Sequence, residues 1–170
     1  MAVGGVLPEE ARPIEGVVDT GIVVLAHFDN PARAEAARFF LSVLRWERRC
    51  LIPVTAMIGA YHVMTRYLGV DEEAARRALT LSLETRSPAF YEDVDIETAM
   101  NALRLAATLR VESWDGYLLQ LALMFDAPII YSIDKTLAKR ARALGIKVIN
   151  PIPEGVFQAY QEWLAKQLRR

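Results

Sequence analysis

Short apolar runs and longer amphipathic stretches alternate along this chain. Residues 16–18 (Gly-Val-Val), 50–54 (Cys-Leu-Ile-Pro-Val), 129–132 (Ile-Ile-Tyr-Ser) and 146–149 (Ile-Lys-Val-Ile) are brief and mostly β-branched or apolar, the pattern of strands buried inside a sheet. The segments between them read as helices. Asn30-Pro31 supplies an N-cap followed by Pro at the first helical position, and residues 32–45 carry Phe39, Phe40, Val43 and Leu44 as an apolar face. Thr55 caps a helix running to about residue 68, where Gly69 stops it. Asp71 caps another, with Leu79, Leu81 and Leu83 toward its end, and Ser87-Pro88 breaks it before an edge-strand segment at residues 90–94. Residues 97–109 repeat apolar positions at helical spacing (Ala99, Leu103, Ala106, Ala107), and a more uniformly apolar helix covers 114–125. A helix over 135–144, closed by Gly145, joins the last two strands into a compact βαβ unit. This alternation predicts an α/β domain with a parallel sheet.

Composition narrows the class. At 170 residues, 53% hydrophobic and 24% charged, the chain has the size and content of one globular domain with a real core. Residues 16–152 form that domain, 1–15 an N-terminal extension that is poorly ordered or lies at an edge, and 153–170 a C-terminal amphipathic helix. The last carries Phe157, Tyr160, Trp163, Leu164 and Leu168 on one side, for packing on the domain or at a dimer interface. A net charge of −1 advertises no polyanion partner globally, so any nucleic-acid contact has to come from a local basic face. The lone Cys50 excludes an internal disulfide and a cysteine zinc cluster and fits a reducing, cytoplasmic setting; two histidines, His27 and His62, exclude a histidine-rich metal site. No apolar run reaches the roughly 18 residues of a membrane helix, and the first twelve residues lack the basic and apolar regions of a signal peptide.

Three aspartates stand where apolar segments end or begin: Asp19 after the first strand, Asp134 after the strand at 129–132, and Asp115 at the head of the apolar helix. Loops at the carboxyl ends of parallel strands open on one side of the sheet, so Asp19 and Asp134 share an edge. Three carboxylates about 5 Å apart repel by roughly 3 kcal/mol per pair at an effective dielectric near 20. A hard divalent cation, which takes oxygen ligands, relieves that repulsion; without one an acid protonates. Asp115 and Asp134 equally satisfy the requirements of helix caps, whereas Asp19 has no evident helix start until Asn30.

The arrangement resembles the PIN-domain nucleases, the family that includes the toxins of VapBC toxin-antitoxin modules, over about residues 17–151. The likeness rests on Val17-Val18-Asp19-Thr20, on Asp115-Gly116 followed by an apolar helix with Ala122 seven residues on, and on Ile129-Ile130-Tyr131-Ser132-Ile133-Asp134. It implies a three-layer α/β/α sandwich around a parallel sheet of four or five strands. It also implies a divalent-metal-dependent endoribonuclease in which Asp19, Asp115 and Asp134 hold Mg²⁺ or Mn²⁺, with Thr20 and Ser132 orienting ligands or water. RNA is then the substrate, a small antitoxin protein and a second copy of the chain the partners. One family acid is missing. A Glu is expected about six residues after the Ser or Thr that opens the second long helix; counted from Thr55, Tyr61 stands there, with its ring partly in the core and its hydroxyl toward the acids. A phenol, neutral at pH 7, is a poor ligand for a hard cation; Glu112, three residues before Asp115, is placed either to approach the site from the preceding turn or to serve as a capping or solvent-facing acid. The alternative function is a degenerate PIN domain that binds RNA or protein with little or no cleavage.

Other chemistries fit less well. Asp19-Thr20-Gly21 matches the aspartic-protease tripeptide, but that reaction needs two such loops and an all-β fold. No phosphate-binding glycine loop or serine nucleophile elbow is present. Arg66, Lys135, Lys139 and Arg140 are the candidates for RNA phosphate, and Tyr61, Trp114 and Tyr131 for base stacking, against the commoner roles of solvated helix faces and packing.

Overall fold

A computed structural model describes residues 12–169 of the chain, and of the extension expected over residues 1–15 the first eleven lie outside them. Within the described residues five strands form one parallel sheet: β1 (Gly16–Val18), β2 (Cys50–Pro53), β3 (Phe90–Tyr91), β4 (Ile129–Tyr131) and β5 (Lys147–Ile149). Their order is β3-β2-β1-β4-β5. The chain therefore walks outward from β1 to β3, then returns to the other side of β1 for β4 and β5.

Eight α-helices flank the sheet among the described residues: α1 (Thr20–His27), α2 (Arg33–Leu44), α3 (Val54–Arg66), α4 (Glu72–Glu84), α5 (Ile96–Leu109), α6 (Ser113–Met124), α7 (Lys135–Ala141) and α8 (Glu154–Gln167). Reversing the direction of travel across a parallel sheet reverses the face on which the connecting helices lie. Accordingly, α1 to α4 cover one face and α5 to α7 the other. The strands serve both layers through their period of two: Val18 and Tyr131 join the first core, Val17 and Ile130 the second. This is the three-layer α/β/α sandwich.

The helix α1 departs from expectation. Thr20–His27 follows directly on Asp19, where the sequence pattern placed no helix before Asn30. Ile22, Val23, Val24 and Leu25 are all buried, so no polar face marks a helical period. Asn30 instead ties α1 to α2: its amide nitrogen donates to the carbonyls of Leu25 and Phe28, and its oxygen accepts from the Ala32 N–H. The tail α8 lies on the first layer, with Tyr160 buried and Val156, Phe157, Trp163 and Leu164 packed against that core. No helix among the described residues is long and apolar enough to cross a membrane.

Candidate active site

The reversal of strand order between β1 and β4 opens a crevice beyond their carboxyl ends, the usual ligand position in such sheets. The acids gather there. Backbone pairing continues past both strands, Asp19 N–H to the Tyr131 carbonyl at 2.9 Å and Ser132 N–H to the Ile149 carbonyl at 3.0 Å, which fixes where Asp19 and Ser132 stand. Asp19 is the N-cap of α1. Its Oδ1 accepts from the Thr20 N–H at 2.6 Å and its Oδ2 from the Ser132 hydroxyl at 2.6 Å. The Ser132 oxygen in turn accepts from the Asp134 N–H at 3.0 Å, so one hydroxyl links the β1 and β4 loops. Asp134 caps α7 through Oδ1, which accepts from Thr136 and Leu137 N–H, and therefore also fills the capping role its position suggested.

Asp115 reaches the same crevice from the other layer. It stands in the first turn of α6, whose N-cap is Glu112. The next residue, Gly116, holds α6 tightly against α5: a Cβ there would lie 2.3 Å from the Ala102 carbonyl oxygen and 2.9 Å from the Ala106 Cβ. Only glycine permits that crossing, and the crossing sets how deep Asp115 sits.

Electrostatics show that the acids act on one another. Burial pushes the Asp19 carboxyl above its ordinary range despite the hydrogen bonds from Ser132 and Thr20, and the charges of Asp134 and Glu112 push the same way. Asp115 is pushed up to about 7, by burial first and then by Asp19, Asp134 and Glu112. Every charge that acts strongly on it is acidic. Such a set invites an external cation.

A profile of the PIN domain family matches residues 16–143. The chain belongs to the PIN domain family. A PIN domain is a nuclease-type fold, and its matched span runs from the first strand through α7, taking in all three aspartates. Among solved structures, that of PAE2754 from Pyrobaculum aerophilum superposes with a TM-score of 0.54 at 17% identity, covering 92% of this chain and 91% of that one. At that identity the likeness speaks for the fold. No curated protein matches the sequence.

The helix α3 does not start at Thr55, where the sequence pattern placed its cap. The N-cap of α3 is Pro53, two residues earlier, and the sixth residue after it is Gly59. A Cβ at Gly59 would lie 3.4 Å from the Thr20 Cγ2, in ordinary contact beside Asp19. Tyr61 is about 200° further round the helix, packs against the first core, and is absent from the groups that act on Asp19. Gly59 is thus the α3 residue beside Thr20, a neighbour that the count from Thr55 did not point to.

The other candidates divide. Lys135 opens α7 beside Asp134, with Lys139 and Arg140 one turn further along its exposed side. Arg66 closes α3, about 18 Å along the axis from Val54, and faces Glu72 at 3.8 Å; it lies away from the acids. Tyr131 is buried beneath Phe39 and donates its hydroxyl to Glu15, while Arg48 donates to that hydroxyl, so it offers no face to a base. Trp114, next to Asp115, is 56% exposed and does offer one.

Proposed function

We propose that this PIN domain is a divalent-metal-dependent endoribonuclease. The observation that carries the reading is the placement of Asp19, Asp115 and Asp134 in one crevice, where burial and the charges of Asp19 and Asp134 push Asp115 up to about 7. The donor set is all oxygen, the set that Mg²⁺ and Mn²⁺ take. Among the described residues no three His, Cys, Asp or Glu side chains converge tightly enough to enclose an ion by themselves. Mg²⁺ keeps several waters and uses one or two carboxylates directly, so it does not require such an enclosure. PIN domains generally use divalent metal ions. Asp19 and Asp115 would hold the ion, with Asp134 and Glu112 adding charge around it.

When bound, such an ion supplies a deprotonated water at neutral pH and charge neutralisation at the scissile phosphate. The chain's own part is orientation. Ser132 and the Thr20 N–H fix both oxygens of Asp19, and the caps of α1 and α7 hold Asp19 and Asp134 with their carboxylates at positive helix ends. Lys135 lies beside Asp134, where it would meet a phosphate of the bound strand.

The opening at Gly59 supports a second reading, a PIN domain that binds RNA with weakened or no cleavage, because α3 presents only a glycine beside Thr20. One assay separates them: cleavage of a labelled single-stranded RNA across a Mn²⁺ and Mg²⁺ series. The nuclease reading expects cleavage that needs the ion and disappears in Asp19→Asn. Binding without cleavage at every ion concentration overturns it. The biological setting we propose, a toxin restrained by a small antitoxin, rests on the family resemblance and is tested by co-purification with the product of an adjacent gene.

A further inference from the structure

A groove of about 840 Å³ begins at Ser132 and Asp134 and runs between α7 and α8 over the ends of β4 and β5. It is thus continuous with the acid crevice. Its chemistry differs from that of a phosphate channel. Lys135 stands at the acid end, but Glu154 lines the far side, and the remaining polar lining is neutral: the amides of Asn150, Gln158 and Gln161. Phe157 and Ile152 add apolar surface. Asn150 spends its oxygen on the Ile152 N–H, and the Gln158 amide nitrogen donates to Glu162 at 3.3 Å, a long bond on an exposed helix face that a ligand acceptor can replace.

We infer that this groove is a nucleobase subsite, which takes an unpaired base of a single-stranded RNA next to the phosphodiester held at Asp19 and Asp115. The inference rests on the nuclease reading for the position of that phosphate. Side-chain amides carry both a donor and an acceptor, matching the edges of bases, whereas a glutamate beside them repels a phosphate. The volume lies in the range of about 300–1,000 Å³ that small-molecule sites occupy, enough for a nucleoside. Lys135 sits where the strand's backbone would pass from the groove to the acids. A base in duplex cannot enter, so the groove selects single strands.

The test is binding, read by fluorescence anisotropy of a short labelled RNA in EDTA, where nothing is cut. Abasic sites are walked through the oligonucleotide against the wild type and against the double variant Gln158→Ala/Gln161→Ala. Both glutamines are exposed, so the variant is expected to fold, and its circular dichroism and melting point check that. One abasic position should weaken wild-type binding by about tenfold, the scale of a paired or stacked base, while the double variant loses affinity for intact RNA by a similar factor and shows no further loss at that position. A flat abasic scan, or a folded variant that binds like wild type, overturns the inference; the latter result with a protein partner lost instead would make the groove a protein site. Failure of Mn²⁺-dependent cleavage with base-dependent binding intact would remove the nuclease reading alone.

Discussion

Asp115→Asn separates a functional acid from a structural one because stability and activity should move in opposite directions. The carboxyl is pushed from its ordinary 3.8 up to about 7. At about 1.36 kcal/mol per pKa unit this corresponds to roughly 4 kcal/mol of destabilisation when the group is ionised. Asp115 is only half-buried, and solvent screening brings the figure to about 2 kcal/mol. The sign follows from proton binding. Below pH 3.8 both folded and unfolded chains are protonated and the penalty vanishes; between 3.8 and 7 the folded chain holds the extra proton, so stability falls as pH rises. Above about 7 the penalty is complete. In EDTA at pH 8 the variant should therefore melt about 4–8 °C above wild type, and at pH 5 only about a third of that gain should remain. Mn²⁺ should close the gap by stabilising wild type alone, and RNA cleavage should be lost. A variant less stable than wild type at pH 8 without metal, or equally stabilised at both pH values, would refute the repulsion argument.

Further outcomes follow from the same geometry. Gly59→Glu should raise metal-dependent cleavage several-fold, whereas Tyr61→Glu should not; in EDTA repulsion from the added carboxylate should offset the roughly 1 kcal/mol that replacing glycine adds to α3, Mn²⁺ should restore that gain, and the reverse ranking in rate assays would favour the count from Thr55. Ser132→Ala removes a donor that lowers the Asp19 pKa, so the acid limb of the cleavage-pH profile should move to higher pH, with a loss of about 1–2 kcal/mol in denaturant titrations. Gly116→Ala should cost at least about 1–3 kcal/mol from its clash with the Ala102 carbonyl and lower kcat by displacing Asp115. The exposed stripe Ile96, Met100 and Leu103 on α5 lies on one helical face, and antiparallel pairing would set Asp95 and Glu97 of one copy near Arg104 and Arg110 of another. We expect a dimer by light scattering that Met100→Glu dissociates; a monomeric wild type contradicts it.

Fold and acids were legible in the sequence for the same reason: strands buried on both faces leave short apolar runs, and the residue closing each run must lie at one edge of a parallel sheet. Asp19, Asp134 and the Ser132 between strand and helix followed directly. What stayed hidden has a physical cause in each case. The helix α1 is apolar all round and rich in valine, so neither period nor propensity announced it. The start of α3 was misplaced by two residues because Thr55 is a better cap by composition than Pro53, and two residues turn a side chain about 200°. Counted from Pro53 and not from Thr55, the sixth residue of the helix is Gly59 and not Tyr61. Arg66 looked basic and near, but helices in this fold run away from the strand ends, so only their first two turns meet the crevice.

The central claim is that three aspartates from separate loops act together on one cation. Calorimetric titration of Mn²⁺ into the protein at pH 8 tests it without RNA. Wild type should bind, with affinity falling by about tenfold or more in each of Asp19→Asn, Asp115→Asn and Asp134→Asn, and with protons released from Asp115 as pH is lowered toward 7. No binding by wild type, or equal binding by all three folded variants, would contradict the account.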